Sequence, residues 1–200
     1  MYISNSEIRA RAREALDNSI FGGRWLKMVL IIFIMSLILG AANYLACGIG
    51  TLLLTGPLYV GLHKAQLKAI RTDDDISLDT AFEGCHDFGS NLVLGVMHSL
   101  IITLWSLLFI IPGIIKSYSY ALVYYVKADH PEYSWRECLN ESEELMRGHK
   151  MDLFLLHLSF IGWALLSMLT CGIGSIWVNA YQMTSTAVFY DELQSQKAYY

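Results

Sequence analysis

The chain has 200 residues, 54% of them apolar, with only 16% charged side chains, a net charge of −4 and a positive mean hydropathy of +0.41. A soluble domain of this size has too little interior to hide that much apolar surface, which excludes an ordinary small globular protein and places the chain in the membrane class.

In chain order, Ser4-x-x-Glu7 has the spacing of a helix-capping box and opens a short helix whose apolar positions are Ala12, Ala15 and Leu16. Met28 to Cys47 follows, an apolar run of the roughly 20 residues needed to cross a hydrocarbon core of about 30 Å. Cys47-Gly48-Ile49-Gly50 then turns the chain into a second run, Leu52 to Leu62, interrupted by Gly56-Pro57. Ser77 begins another short helix, with a stripe of Leu78, Ala81, Phe82, Cys85 and Phe88. After it come Leu92 to Ile111, a turn at Ile111-Pro112-Gly113-Ile114, and Ile114 to Ala128, which carries Lys116 and four tyrosines. Ser134-x-x-Glu137 caps a third short helix with Trp135, Cys138, Leu139, Ser142 and Leu145 on one face. It leads into Leu153 to Cys171, the turn Cys171-Gly172-Ile173-Gly174, and Ile176 to Tyr190.

The pattern predicts an all-α polytopic membrane bundle in a single domain. It is built from three repeats, approximately 4–71, 76–128 and 134–192, each an interfacial amphipathic helix followed by a hairpin of two crossings. The second arms are shorter and more polar than the first, and pairing with the first arm lets them cross with their polar faces against protein. Six crossings put every basic residue except Lys116, thirteen of fourteen, on the side of the termini, so the positive-inside rule makes both termini cytoplasmic. The first 26 residues do not read as a cleavable signal, since a charged helix precedes the apolar run and no small-residue cleavage pattern closes it.

Three sets of side chains stand out. Arg9, Arg11 and Arg13 on the first short helix, Glu83 and Asp87 on the second, and Glu137, Glu141 and Glu144 on the third form either a cytoplasmic docking surface for a protein partner or anionic lipid, or solvated faces with mutual pairing. His98 and His157 sit at similar depths on the first arms. Paired, they would bind a metal or pass a proton; singly, each is a neutral imidazole bonded to a hydroxyl. Lys116, Tyr120, Tyr124, Asn179, Gln182 and Tyr190 lie on the second arms, where they line a polar cavity or specify packing by interhelical hydrogen bonds. Cys47 and Cys171 open equivalent outer turns, as a disulfide or packed singly; Cys85 and Cys138 fall at apolar positions of short helices. Nothing has the spacing of a zinc site, a protease, an esterase or a nucleotide-binding loop, and no cofactor is expected.

Ile110-Ile111-Pro112-Gly113-Ile114-Ile115-Lys116, Ala128-Asp129-His130-Pro131, Leu145-Met146-Arg147-Gly148-His149-Lys150, Leu158-Ser159-Phe160-Ile161-Gly162-Trp163 and the final Phe189-Tyr190 resemble the bacterial integral-membrane family known as domain of unknown function 975. The likeness covers almost the whole chain, with one departure at Ala180, where the pattern calls for a proline before Tyr181. More distantly, the proline turn is similar to that of the membrane domain accompanying some glycerophosphodiester phosphodiesterases. The resemblance implies a multi-pass protein of the bacterial plasma membrane and brings no catalytic residue with it.

Three function classes follow. The first expectation is a non-enzymatic scaffold or regulator working through its cytoplasmic interfacial helices. The alternative is a small permease or lipid-handling protein with a polar intramembrane cavity, and a membrane enzyme ranks third. The expected partners are the bilayer itself, with an anionic lipid or a cytoplasmic protein, and no nucleic acid.

Overall fold

The computed structural model describes residues 4–17, 22–45, 49–72, 76–168 and 174–198. Cys47 and Cys171, with most of their two turns and the Asp73–Asp75 run, lie outside the described residues. Those described are all-helical, without a strand: α1 (Asn5–Ala15), α2 (Gly23–Leu45), α3 (Ile49–Arg71), α4 (Leu78–Phe82) with a 3₁₀ turn at Glu83–Cys85, α5 (Phe88–Leu108), α6 (Ile110–Ser119), α7 (Val123–Asp129), α8 (Trp135–Leu145), α9 (Lys150–Leu158), α10 (Ile161–Met168) and α11 (Gly174–Ala198).

Three stretches are long and apolar enough to cross a membrane: Gly23–Leu45, Phe88–Leu107 and Lys150–Ser167. They are the predicted first arms. Leu30, Phe33 and Leu37 on α2, Leu100 and Leu104 on α5, and Phe154, Leu158 and Leu165 on α9 and α10 are all exposed, large apolar side chains that water does not favour. The second arms behave differently. Beyond their first turns, α3, α7 and α11 are largely buried, polar residues included: Gln66 and His63 on α3, Lys127 on α7, Thr184 and Ser185 on α11.

The chain divides into two compact units. One comprises Met1–Ile34, Gln66–Ser77 and Met151–Tyr200. Its α1 opens with the predicted capping box: the Glu7 amide donates to Ser4 Oγ, and the Ser4 amide donates to Glu7 Oε2 at 2.8 Å. Ala12, Ala15 and Leu16 are buried as their spacing requires. Helix α1 packs on α11, where the Tyr181 hydroxyl donates to the Arg9 carbonyl at 3.0 Å and Arg11 pairs with Glu192. Asp17 ends α1 in the left-handed region, at φ 74°, and its carboxylate accepts the Arg24 amide in the first turn of α2 at 2.8 Å. Helix α11 runs unbroken through Ala180, which is fully buried.

The other unit comprises Met35–Ala65 and Leu78–Lys150. Here α3 meets α4, the 3₁₀ turn and α5 backbone to backbone: a Cβ on Gly61 would collide with the Ala81 carbonyl, and one on Gly84 with the Pro57 carbonyl. The helix continues through Pro57. The chain reverses at Phe109, in extended backbone, rather than at Pro112, which sits in the first turn of α6 where proline costs no hydrogen bond. The predicted run from Ile114 to Ala128 is broken at Tyr120–Leu122, where α6 ends and the Ser119 carbonyl accepts the Ser142 hydroxyl at 2.9 Å. Helix α8 packs along α7, with its capping box at Ser134 and Glu137 intact and Cys138, Leu139, Ser142 and Leu145 all buried.

The stripe expected on α4 is out of phase. Ala81 is buried and Phe82 half-buried as expected, but Leu78, Cys85 and Phe88 are exposed and Ile76, Thr80 and Gly84 are buried instead, since a five-residue helix passing into a 3₁₀ turn does not hold a 3.6-residue period. In chain order, α4 packs on α3 and α8 on α6 and α7, the second arms that precede them, while α1 packs on α11.

Candidate functional site

Two clusters carry the polar chemistry, one in each unit. In the second unit, Lys116 Nζ donates to Glu143 Oε1 at 2.7 Å, and the Tyr120 hydroxyl donates to Glu143 Oε2 at 3.3 Å. The Lys116 ammonium also lies 5.2 Å from the Tyr120 ring centre and 5.8 Å from that of Trp105. The hydrogen bond from Lys116 holds the Glu143 carboxyl below the ordinary carboxylate range, against a smaller opposing effect of burial. Deeper in the same unit, His98 Nδ1 lies 3.1 Å from the Tyr124 hydroxyl. Tyr124 also faces Tyr59 and His63, and the His63 ring stacks on Tyr125 at 3.9 Å.

In the first unit, four helices surround a cavity of about 490 Å³. Ser6, Arg9 and Arg13 line it from α1, where the i, i+3, i+7 spacing places them on one face. Trp163, Leu166 and Ser167 line it from α10, and Gly174, Trp177, Val178 and Tyr181 from α11, again one face of each helix. Trp25 of α2 is the remaining wall, with its ring centre 5.6 Å from that of Tyr181. Its indole N–H is buried without a hydrogen-bond partner. Among the described lining residues there are two arginines and no carboxylate.

The predicted site residues are distributed between these units. Lys116, Tyr120 and Tyr124 come together around Glu143 and His98, as described. Gln182 is half-buried on α11, and Tyr190 is fully buried, accepting from Gln194 Nε2 at 2.9 Å. Asn179 departs from the inward placement expected of it: it is exposed, because the face of α11 bearing Trp177, Val178 and Tyr181 turns to the cavity and Asn179 falls opposite. His98 and His157 belong to different units, and each has a hydroxyl within its own, that of Tyr124 for His98 and that of Thr186, at 3.3 Å, for His157.

Of the charged set, Arg11 pairs with Glu192 and Glu83 with Lys64 at 2.6 Å, while Glu137 is engaged in its capping box. Asp87 stands at the N-cap of α5 without a side-chain capping bond, and on α8 Glu141 is half-buried and Glu144 exposed. Arg9 and Arg13 line the cavity. Among the described residues, no three His, Cys, Asp or Glu side chains are close enough to share a metal ion.

The family model described as "Protein of unknown function (DUF975)" matches residues 1–118 and 107–197 of the chain. The chain belongs to the DUF975 family. No curated protein and no solved structure matches it.

Sequence reasoning on this DUF975 protein missed His63, Tyr59 and Glu143, and most of the cavity wall. The spacing of Ser6, Arg9 and Arg13 was visible in the sequence; what it faces was not, since α11 lies more than 150 residues away along the chain. A tryptophan on an apolar run reads as core or membrane interface whether or not a cavity adjoins it.

Proposed function

We propose that this DUF975 protein is a non-enzymatic lipid-handling protein of the bacterial plasma membrane that holds an amphiphilic molecule in the cavity bounded by α1, α2, α10 and α11. Its frame is six crossings in three repeats with both termini cytoplasmic, each short helix covering a polar second arm. The single observation that carries the functional reading is the composition of that cavity. Its volume lies within the roughly 300–1,000 Å³ of small-molecule sites, and it combines three indoles with two guanidinium groups. Trp163 and Leu166 are lining residues that are also exposed on the apolar outer surface, which offers a ligand a route from the bilayer.

The scaffold reading loses ground because Arg11, Glu83 and Glu137 are engaged within the chain. It keeps one supporting feature, the exposed Glu144 on α8. Purification in mild detergent, followed by mass spectrometry of intact protein and extracted lipid, separates the two. A lipid retained in stoichiometric amount is the expected outcome; a soluble protein retained with no lipid would return the scaffold to first place.

A further inference from the structure

Resting on that amphiphile-binding reading, we propose that the cavity selects an amphiphile with an anionic phosphate ester head, held between Arg9 and Arg13, with its chains along Trp163 and Leu166. Arg9 and Arg13 are four residues apart on one face of α1, Arg9 half-buried with its Nε donating to the Asn5 carbonyl at 3.3 Å and Arg13 exposed, and an anion between the two guanidinium groups relieves their mutual repulsion. Arg11, between them in sequence, turns away to Glu192, so the carboxylate of α11 neutralises the one arginine that leaves the cavity. No described carboxylate lines the cavity to neutralise the other two. Trp25 supplies an independent sign of a missing acceptor: it is 5% exposed, lines the same cavity, and buries an indole N–H that no described group accepts. Planar guanidinium forks suit phosphate oxygens, which accept several hydrogen bonds at once, and the indole N–H adds a neutral donor. An apolar wall on one side and a cationic wall on the other is the complement of a molecule with a chain and a charged head, rather than of a free ion.

The test uses the full chain in phosphatidylcholine nanodiscs, where indole fluorescence is quenched by lipids brominated on their acyl chains; three of the five tryptophans line the cavity. Brominated phosphatidylglycerol is expected to quench saturably at a mole fraction about tenfold below that needed by brominated phosphatidylcholine, with no displacement by excess inorganic phosphate. Equal, saturable quenching by both lipids would overturn the anionic selectivity while leaving an amphiphile site in place. Quenching by either lipid only in proportion to its mole fraction would overturn both, and displacement by inorganic phosphate would make this a free-anion site. Arg9→Gln combined with Arg13→Gln should bring the phosphatidylglycerol curve to that of phosphatidylcholine, whereas Arg136→Gln, outside the cavity, should leave the preference intact. Retained selectivity in the double variant, or its loss in Arg136→Gln, would contradict the assignment; the wild-type comparisons decide the matter even where the double variant does not fold.

Discussion

At the residue scale, the Lys116–Glu143 pair ties a second arm to the short helix beside it. Lys116 was legible as a basic residue alone on its side of the predicted topology, but its partner was not, because 27 positions of chain and two turns separate them. Both side chains are partly exposed, so solvent screening limits the pair to about 0.5–1 kcal/mol. Glu143 titrates below its unfolded value, so this contribution is fully present above the ordinary carboxylate range and is lost as pH falls through the lowered value. Melting of Glu143→Gln in detergent should show that deficit at neutral pH and converge on the wild type only once the pH has fallen below the lowered carboxyl value. A deficit that persists unchanged in acid would assign the effect to packing. The thiols make a second residue-scale case. Cys138 is buried, and burial pushes its thiol up to about 11, whereas Cys85 is exposed. A membrane-permeable maleimide at neutral pH should therefore modify Cys85 well before Cys138, as peptide mass spectrometry would show; the reverse order would mean that α8 is not seated.

At the element scale, α1 and α8 were read correctly from their capping boxes and apolar spacing, which are local signals: a serine hydroxyl, a glutamate three residues on, and a stripe over three turns. Helix α4 was not. Its buried positions are set by how closely Gly84 and Ala81 approach Gly61 on α3, a contact between distant segments that leaves no periodic trace. The same holds for the break between α6 and α7, where the Ser142 hydroxyl of α8 bonds the Ser119 carbonyl. Gly61 is thus the most telling position in the element packing. Gly61→Val must separate α3 from α4 and should cost about 2–3 kcal/mol, read as a lower melting temperature in detergent, whereas Gly162→Ala, where an added methyl meets nothing within 4 Å, should be nearly neutral. Equal effects of the two would refute the close approach.

At the scale of the whole molecule, the class was legible from composition and the three apolar first arms from length alone, both of which depend on totals rather than partners. The cavity was not legible, since it needs four helices to be placed before its walls face one another. The lipid-handling reading stands on the frame of crossing hairpins with both termini cytoplasmic; within it α8 is not confined to the cytoplasmic face, since Glu143 reaches Lys116 near the outer end of its second arm. Impermeant thiol labelling in intact cells tests that frame directly, on a chain whose four native cysteines are replaced by serine. Gly113 is a poor probe position because an added side chain meets Ser106, so the reporter belongs at Ile111, exposed beside the Phe109 reversal, and at Gln194 near the end of α11. The account predicts that Ile111→Cys is labelled from outside and Gln194→Cys only after the membrane is permeabilised; labelling of Gln194→Cys in intact cells would contradict it.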